Sequence, residues 1–148
     1  MRKRGFEVVS AYIGKGIHIP ERKTSGSSGY DLEAAEDATV WPHEVRAVTT
    51  GLNAYMMDDE YLSIFIRSSL AFKDGLMLAN NTGIIDSDYY NNPDNEGHIM
   101  VGLYNTSDKP VSIKKGDRIA QGIFMKYLTC DDDCAEGERV GGIGSTGK

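Results

Sequence analysis

Basic charge, cysteine, proline and long apolar runs are all scarce in this sequence. The 148 residues include two cysteines, four prolines, three histidines and one tryptophan. No apolar run approaches the ~20 residues that a helix needs to cross a bilayer. The start, Met1-Arg2-Lys3-Arg4-Gly5, is basic, but residues 6–12 include Glu7 and Ser10 and lack a signal-peptide core. A cytoplasmic location is therefore expected. Sixteen Lys and Arg against 22 Asp and Glu leave a net charge of −6. That balance excludes a broad basic face for a nucleic-acid polymer, but not a small anion held by a few arginines. Cys130 and Cys134 flank three aspartates in a polar loop, and His18, His43 and His98 are scattered. A structural zinc site lacks ligands, and two free thiols in a reducing compartment are expected instead. The acidic run itself reads as a solvated loop.

Helical periodicity is nearly absent, and short β-like runs take its place. Residues 6–12, 30–34, 38–41 and 45–50 read as strands, the third closed by Pro42 and the fourth by Gly51. Residues 61–66, Tyr-Leu-Ser-Ile-Phe-Ile, form the strongest run and are expected at the centre of a sheet. Residues 68–73 suit one helical turn, with Ser68 or Ser69 as cap and Gly75 as stop. Short strands at 76–79 and 83–85 are joined by Asn80-Asn81-Thr82, a turn sequence. Residues 14–29 and 91–97 read as loops, the latter a plain one, and 98–104, 111–113 and 118–127 as further strands. Ordinary composition and length suit one domain, 1–148, with residues 135–148 as a C-terminal arm. Many short strands between close turns predict an all-β sandwich or barrel of the jelly-roll type.

Five stretches combine polar groups with tight backbone. They are Ser28-Gly29-Tyr30-Asp31-Leu32, Arg67-Ser68-Ser69-Leu70-Ala71, residues 80–89, residues 116–121 and the glycine-rich tail from Arg139 to Gly147. In the third, Ile84-Ile85 call for a buried strand that holds Asp86 at its end, and Tyr89 can present a ring to a planar ligand. The hydroxyls of Ser68 and Ser69 and the amides at a helix start can hold phosphate oxygens, and Arg67 can clamp them. The tail suits either a disordered terminus or a flap whose amides, Ser145 and Thr146 cradle phosphate. Structural roles suit other residues in these stretches better. Asp117 and Arg118 suit a strand-end ion pair, Asp88 a structural position and Trp41 packing.

Taken together and in this order, the five stretches resemble the motifs of the trimeric dUTPase family, over residues from about Pro20 to Gly147. The resemblance implies a dUTPase-like β-clip or jelly-roll barrel, with at most one short helix and a flexible C-terminal arm. It implies hydrolysis of dUTP to dUMP and pyrophosphate with Mg2+, which lowers dUTP and supplies dUMP for thymidylate synthesis. It also implies a homotrimer in which three subunits share each active site and the C-terminal arm closes over a site formed largely by its neighbours. Asp86 matches the catalytic aspartate that activates the attacking water, and Tyr89 the ring beneath the deoxyribose. Asn80 matches the amide that reads the uracil edge, with Ile84, Ile85 and Met100 beside it. Arg67, Ser68, Ser69, Gln121, Arg139, Gly144, Ser145 and Thr146 match the phosphate and flap contacts. Asp31 matches the aspartate near the metal, acting through water.

Two departures stand out: Ile143 where the family's flap carries an aromatic, and a longer loop at residues 90–96. That loop suits either the pocket rim or a surface for a regulatory protein partner, which keeps a dUTP-sensing module as an alternative. A dCTP deaminase of the same fold is the other. Its catalytic glutamate would stand three residues before Asn105, at Gly102, and that position argues for the triphosphatase. Losing a ring-on-ring contact removes ~0.5–1.5 kcal/mol of flap closure. Ile143→Phe is therefore expected to strengthen dUTP affinity or raise turnover in steady-state kinetics; unchanged values for both reject the idea.

Overall fold

In the computed structural model, which describes residues 1–143, eleven strands form four sheets and one short α-helix accompanies them. The largest sheet has the order β2-β11-β6-β8 and is antiparallel throughout. Its members are β2 (Tyr30–Glu33), β6 (Glu60–Ile66), β8 (Gly83–Asp86) and β11 (Arg118–Lys126). The expected central run is indeed central: β6 pairs with β11 on one edge and β8 on the other. Leu62 and Ile64 are buried on one of its faces, and Ser63 is buried too. A second sheet orders β4 (Val45–Thr49), β9 (Met100–Asn105) and β7 (Leu76–Leu78). Two pairs, β1 (Gly5–Val8) with β5 (Leu52–Tyr55) and β3 (Ala38–Val40) with β10 (Val111–Ile113), complete the all-β frame. The core between the sheets gathers Leu32, Val40, Leu62, Leu76, Leu103 and Ile119, all buried. Among the described residues no helix is long and apolar enough to cross a membrane.

Several local expectations need correction. The first strand stops at Val8, and Ser10–Tyr12 is a single 3-10 turn. Strand β5 was not anticipated, because Leu-Asn-Ala-Tyr contains no β-branched residue; its pairing with β1 makes it a strand. Strand β9 starts at Met100 rather than His98. Helix α1 (Ser68–Asp74) is capped by Arg67, with no side-chain cap bond, so neither Ser68 nor Ser69 is the cap; Gly75 does end it. Arg118 pairs with Asp31 at 3.6 Å rather than with Asp117, whose carboxylate accepts the Lys114 N–H at 2.8 Å. Trp41 is largely exposed rather than packed. Cys130 and Cys134 are free and exposed, as expected.

Gly83 faces Ile64 across the β6–β8 pair, and a Cβ there would lie 2.9 Å from the Ile64 Cβ. The glycine lets the hairpin carrying Asp86 lie close against the central strand. Gly83→Val forces the two strands apart and should cost ~1–3 kcal/mol. By calorimetry its Tm is expected roughly 2–8 °C below wild type, and an unchanged Tm would show that this approach is not needed.

Candidate active site

The hairpin formed by β7, the Asn80-Asn81-Thr82 turn and β8 builds one wall of a cavity of about 430 Å³. The turn closes through Asn81 N–H to Leu78 O at 3.0 Å, and Asn81 adopts φ 66°, which asparagine tolerates. Antiparallel pairing sets Asp86 opposite Tyr61 and Ile85 opposite Leu62, so the carboxylate emerges where the strand ends. A 3-10 turn, Ser87–Tyr89, follows immediately and carries the Tyr89 ring back into the wall. Asn80, Ile84, Ile85, Asp86, Tyr89, Met100, Arg139 and Ile143 therefore line one cavity. Sequence reasoning missed other lining residues, Ala47, Leu78, Ala79, Val101 and Gly142, whose small or apolar side chains carry no chemical signal. Gly102 also lines the cavity, so no carboxylate stands on that wall of β9.

Tyr89 is buried, and both sides of its hydroxyl are engaged. It donates to His98 O at 2.7 Å and accepts from Asn95 Nδ2 at 3.0 Å. Burial pushes its hydroxyl above the ordinary tyrosine value, so it stays protonated as a donor. The expected plain loop at 91–97 is instead tied down by its own side chains. Asn92 is buried, and its Nδ2 donates to Tyr89 O and to Asn95 Oδ1, both at 2.8 Å.

The arm lies across this hairpin of its own chain. Arg139 donates from Nε to Asp88 Oδ1 and from a terminal nitrogen to Asp86 Oδ2, both at 2.8 Å. Its guanidinium stands 5.6 Å from the Tyr89 ring centroid, within cation–π range. Asp88 is therefore part of the site's charge rather than only structural. Gly144, Ser145 and Thr146 lie outside the described residues.

The remaining phosphate candidates are not at this cavity. Arg67 follows the last residue of β6 and donates its N–H to Ile119 O at 3.2 Å. Gln121 is paired with Phe65 on one side and Asp31 on the other. Asp86 is paired with Tyr61, six positions before Arg67, which at ~3.3 Å per residue separates the two by about 20 Å. One chain thus carries two patches, the Asp86 cavity and the Asp31, Arg67, Ser68, Ser69 and Gln121 end of the same sheet.

An all-β barrel with a carboxylate, an amide and a ring converging on one hairpin defines the class of fold. The comparisons with known proteins then give the family. The dUTPase family model matches residues 15–147. The deoxyuridine 5'-triphosphate nucleotidohydrolase of Lactococcus lactis subsp. lactis (strain IL1403) is 51% identical, covering 99% of both chains. The crystal structure of a dUTPase from Streptococcus mutans superposes with a TM-score of 0.81 at 43% identity, over 86% of this chain and 98% of that one. A mutant dUTPase from phage phi11 of S. aureus, described with a structural Mg(II) ion, shares the fold at TM-score 0.75 and 18% identity, over 92% and 98% of the two chains. This chain belongs to the dUTPase family.

His98 supplies the carbonyl that holds Tyr89, and its own ring is held in turn. His98 Nε2 accepts the Gly51 N–H at 2.9 Å, so that nitrogen carries no proton in the fold. Burial pushes the imidazole below the ordinary value of 6.5, with Glu36 and Glu96 partly opposing the shift. The unfolded chain takes up the proton first, so this contribution is full above pH 6.5 and is lost as pH falls through the folded value. Tm should decline as pH falls from 6.5 through the folded value, and His98→Gln should flatten this part of the profile. Parallel profiles for the two proteins would reject the assignment.

Proposed function

We propose that this chain hydrolyses dUTP to dUMP and pyrophosphate, using the residues that converge on the Asp86 cavity. The observation that carries the reading is that Asn80, Asp86 and Tyr89 all line one cavity. A side-chain amide offers both the donor and the acceptor that the uracil edge requires, which suits Asn80 as the base reader. Met100, Ile84 and Ile85 supply apolar walls. Tyr89 lies under the sugar and leaves no space for a 2′-hydroxyl. Asp86 takes a proton from the attacking water. The new bond forms between that water's oxygen and the α-phosphorus as the bond from the α-phosphorus to the α,β-bridging oxygen breaks, and pyrophosphate departs in line.

The phosphates need the second patch. The separation of about 20 Å along β6 is too long for Arg67 to reach substrate held by Asp86 of the same chain. A homotrimer in which one subunit's Arg67, Ser68, Ser69 and Gln121 face another's Asp86 resolves this, and we infer that assembly. Arg139, Gly144, Ser145 and Thr146 of the arm then close over the phosphates, with Ile143 toward the base. Residues 1–148 act as one domain, with 135–148 as the arm.

Among the described residues no three His, Cys, Asp or Glu side chains are grouped to hold a metal. That suits Mg2+, which keeps several waters and is held largely by substrate phosphates. Asp31, its carboxylate 3.6 Å from Arg118, would contact it through water. The ion would offset triphosphate charge and align the phosphates for displacement. The two exposed free thiols fit a cytoplasmic setting.

The test is pyrophosphate release from dUTP, dCTP, dTTP and UTP, with and without magnesium. Hydrolysis of dUTP alone, dependent on the metal, is the expected result, and ammonia release from dCTP would overturn it. Asp86→Asn should retain dUTP binding and lose on the order of 10²–10⁴ in turnover; wild-type turnover in that variant would remove Asp86 from the role of base.

A further inference from the structure

The loop of residues 90–97 has no part in the reaction as derived above, yet its side chains are committed to two parts of the cavity. Asn92 Oδ1 accepts the N–H groups of Asp94 and Asn95 at 3.0 and 3.1 Å, while its Nδ2 holds Tyr89 O and Asn95 Oδ1. Asn95 Oδ1 also accepts the Gly97 N–H at 3.0 Å. With its oxygen doubly engaged, the Asn95 amide has one orientation, and that orientation aims Nδ2 at the Tyr89 hydroxyl, 3.0 Å away. The same Nδ2 meets the arm. A Cβ on Gly142 would fall 2.7 Å from it, and Gly142 donates its N–H to Asp94 Oδ2 at 3.2 Å.

The outer side of the loop is anchored just as firmly. The Tyr90 hydroxyl donates to Glu7 Oε1. Ser10 donates from its backbone and its hydroxyl to Glu96 Oε2 at 3.1 and 3.0 Å. Asn53 Nδ2 donates to Glu96 O at 2.8 Å. The loop is thus a stiff bracket between the N-terminal strand pair and the cavity.

We propose that Asn95 is a positioning residue for sugar selection: it holds the Tyr89 ring at the distance that excludes a 2′-hydroxyl and, with Asp94, seats the arm at Gly142. This rests on the dUTP reading above and extends it to a residue outside the expected motifs. Without the Asn95 bond the ring is held at its far end only through His98 O, and it can retreat enough to admit a ribose. The base, the phosphates and Asp86 are untouched by that movement, so the effect falls on discrimination rather than on chemistry.

The experiment measures kcat/KM for dUTP and for UTP in wild type, Asn95→Ala, Tyr89→Phe and the double variant, with Tm for each. Asn95→Ala and Tyr89→Phe should each lower the dUTP-over-UTP ratio by roughly fivefold to tenfold. The double variant should fall no further than the lower single one, because both remove the same bond. Asp94→Ala, which removes the acceptor of the Gly142 N–H and leaves the Asn95–Tyr89 bond in place, should raise KM for both nucleotides at an unchanged ratio. An unchanged ratio in Asn95→Ala, or additive losses in the double variant, overturns the proposal. If Asn95→Ala does not fold, Tyr89→Phe decides alone, since it keeps the loop and loses the hydroxyl; an unchanged ratio there also overturns it. Failure of the wild type to turn over dUTP would strike the parent reading instead.

Discussion

Strand β6 has its backbone hydrogen bonds taken on both edges, by β8 and by β11, and the geometry of the site follows from that. Each edge is fixed by register. Asp86 is held opposite Tyr61 and Gln121 opposite Phe65, while Arg67 continues past the last paired residue. A one-residue slip of β8 would turn Ile85 away from the core it packs against and bring the exposed Ile84 inward. The distance between Asp86 and Arg67 is therefore a property of the sheet and not of adjustable loops. A rigid separation of about 20 Å cannot be closed by side-chain motion, which makes a second subunit part of the chemistry in the reading given above.

The electrostatics of the cavity follow from a simple imbalance. Asp86 and Asp88 stand two residues apart in a chain of net charge −6, and Arg139 donates to both. Both carboxylates remain more than half exposed, at 54% and 58%, while the Arg139 side chain between them is only 8% exposed. A triphosphate presents several charges to the same guanidinium.

The parts of this fold that were legible in the sequence are those set by local chemistry. The aromatic and β-branched run at 61–66 marks the central strand, and Gly75 marks the end of α1. The third stretch was readable for the same reason: amide, carboxylate and ring all lie within ten residues and fall on one hairpin. What escaped depends on partners distant in sequence. Strand β5 exists because β1 pairs with it, Arg118 finds Asp31 rather than its neighbour, and Arg67 displaces Ser68 as cap because the strand runs on to it. The Asn-Asn-Pro-Asp-Asn run read as a plain loop because such residues favour turns. Their side chains saturate one another and Tyr89, a pattern visible only once the turn is closed.

That loop bears on the other departure, the aliphatic Ile143. An aromatic lid gains ~0.5–1.5 kcal/mol from stacking beyond its area. Ile143 lines the cavity while 77% exposed and brings no such gain. The longer loop supplies an attachment one residue earlier, the Gly142 N–H on Asp94. A net ~1.5–3 kcal/mol is typical for a hydrogen bond to a charged group, less where water competes. In the flap role proposed above, a backbone donor and a carboxylate stand where stacking would otherwise serve. Such an arrangement ties the arm to the loop that braces the Tyr89 ring, so the longer loop and the segment carrying Ile143 meet in one contact.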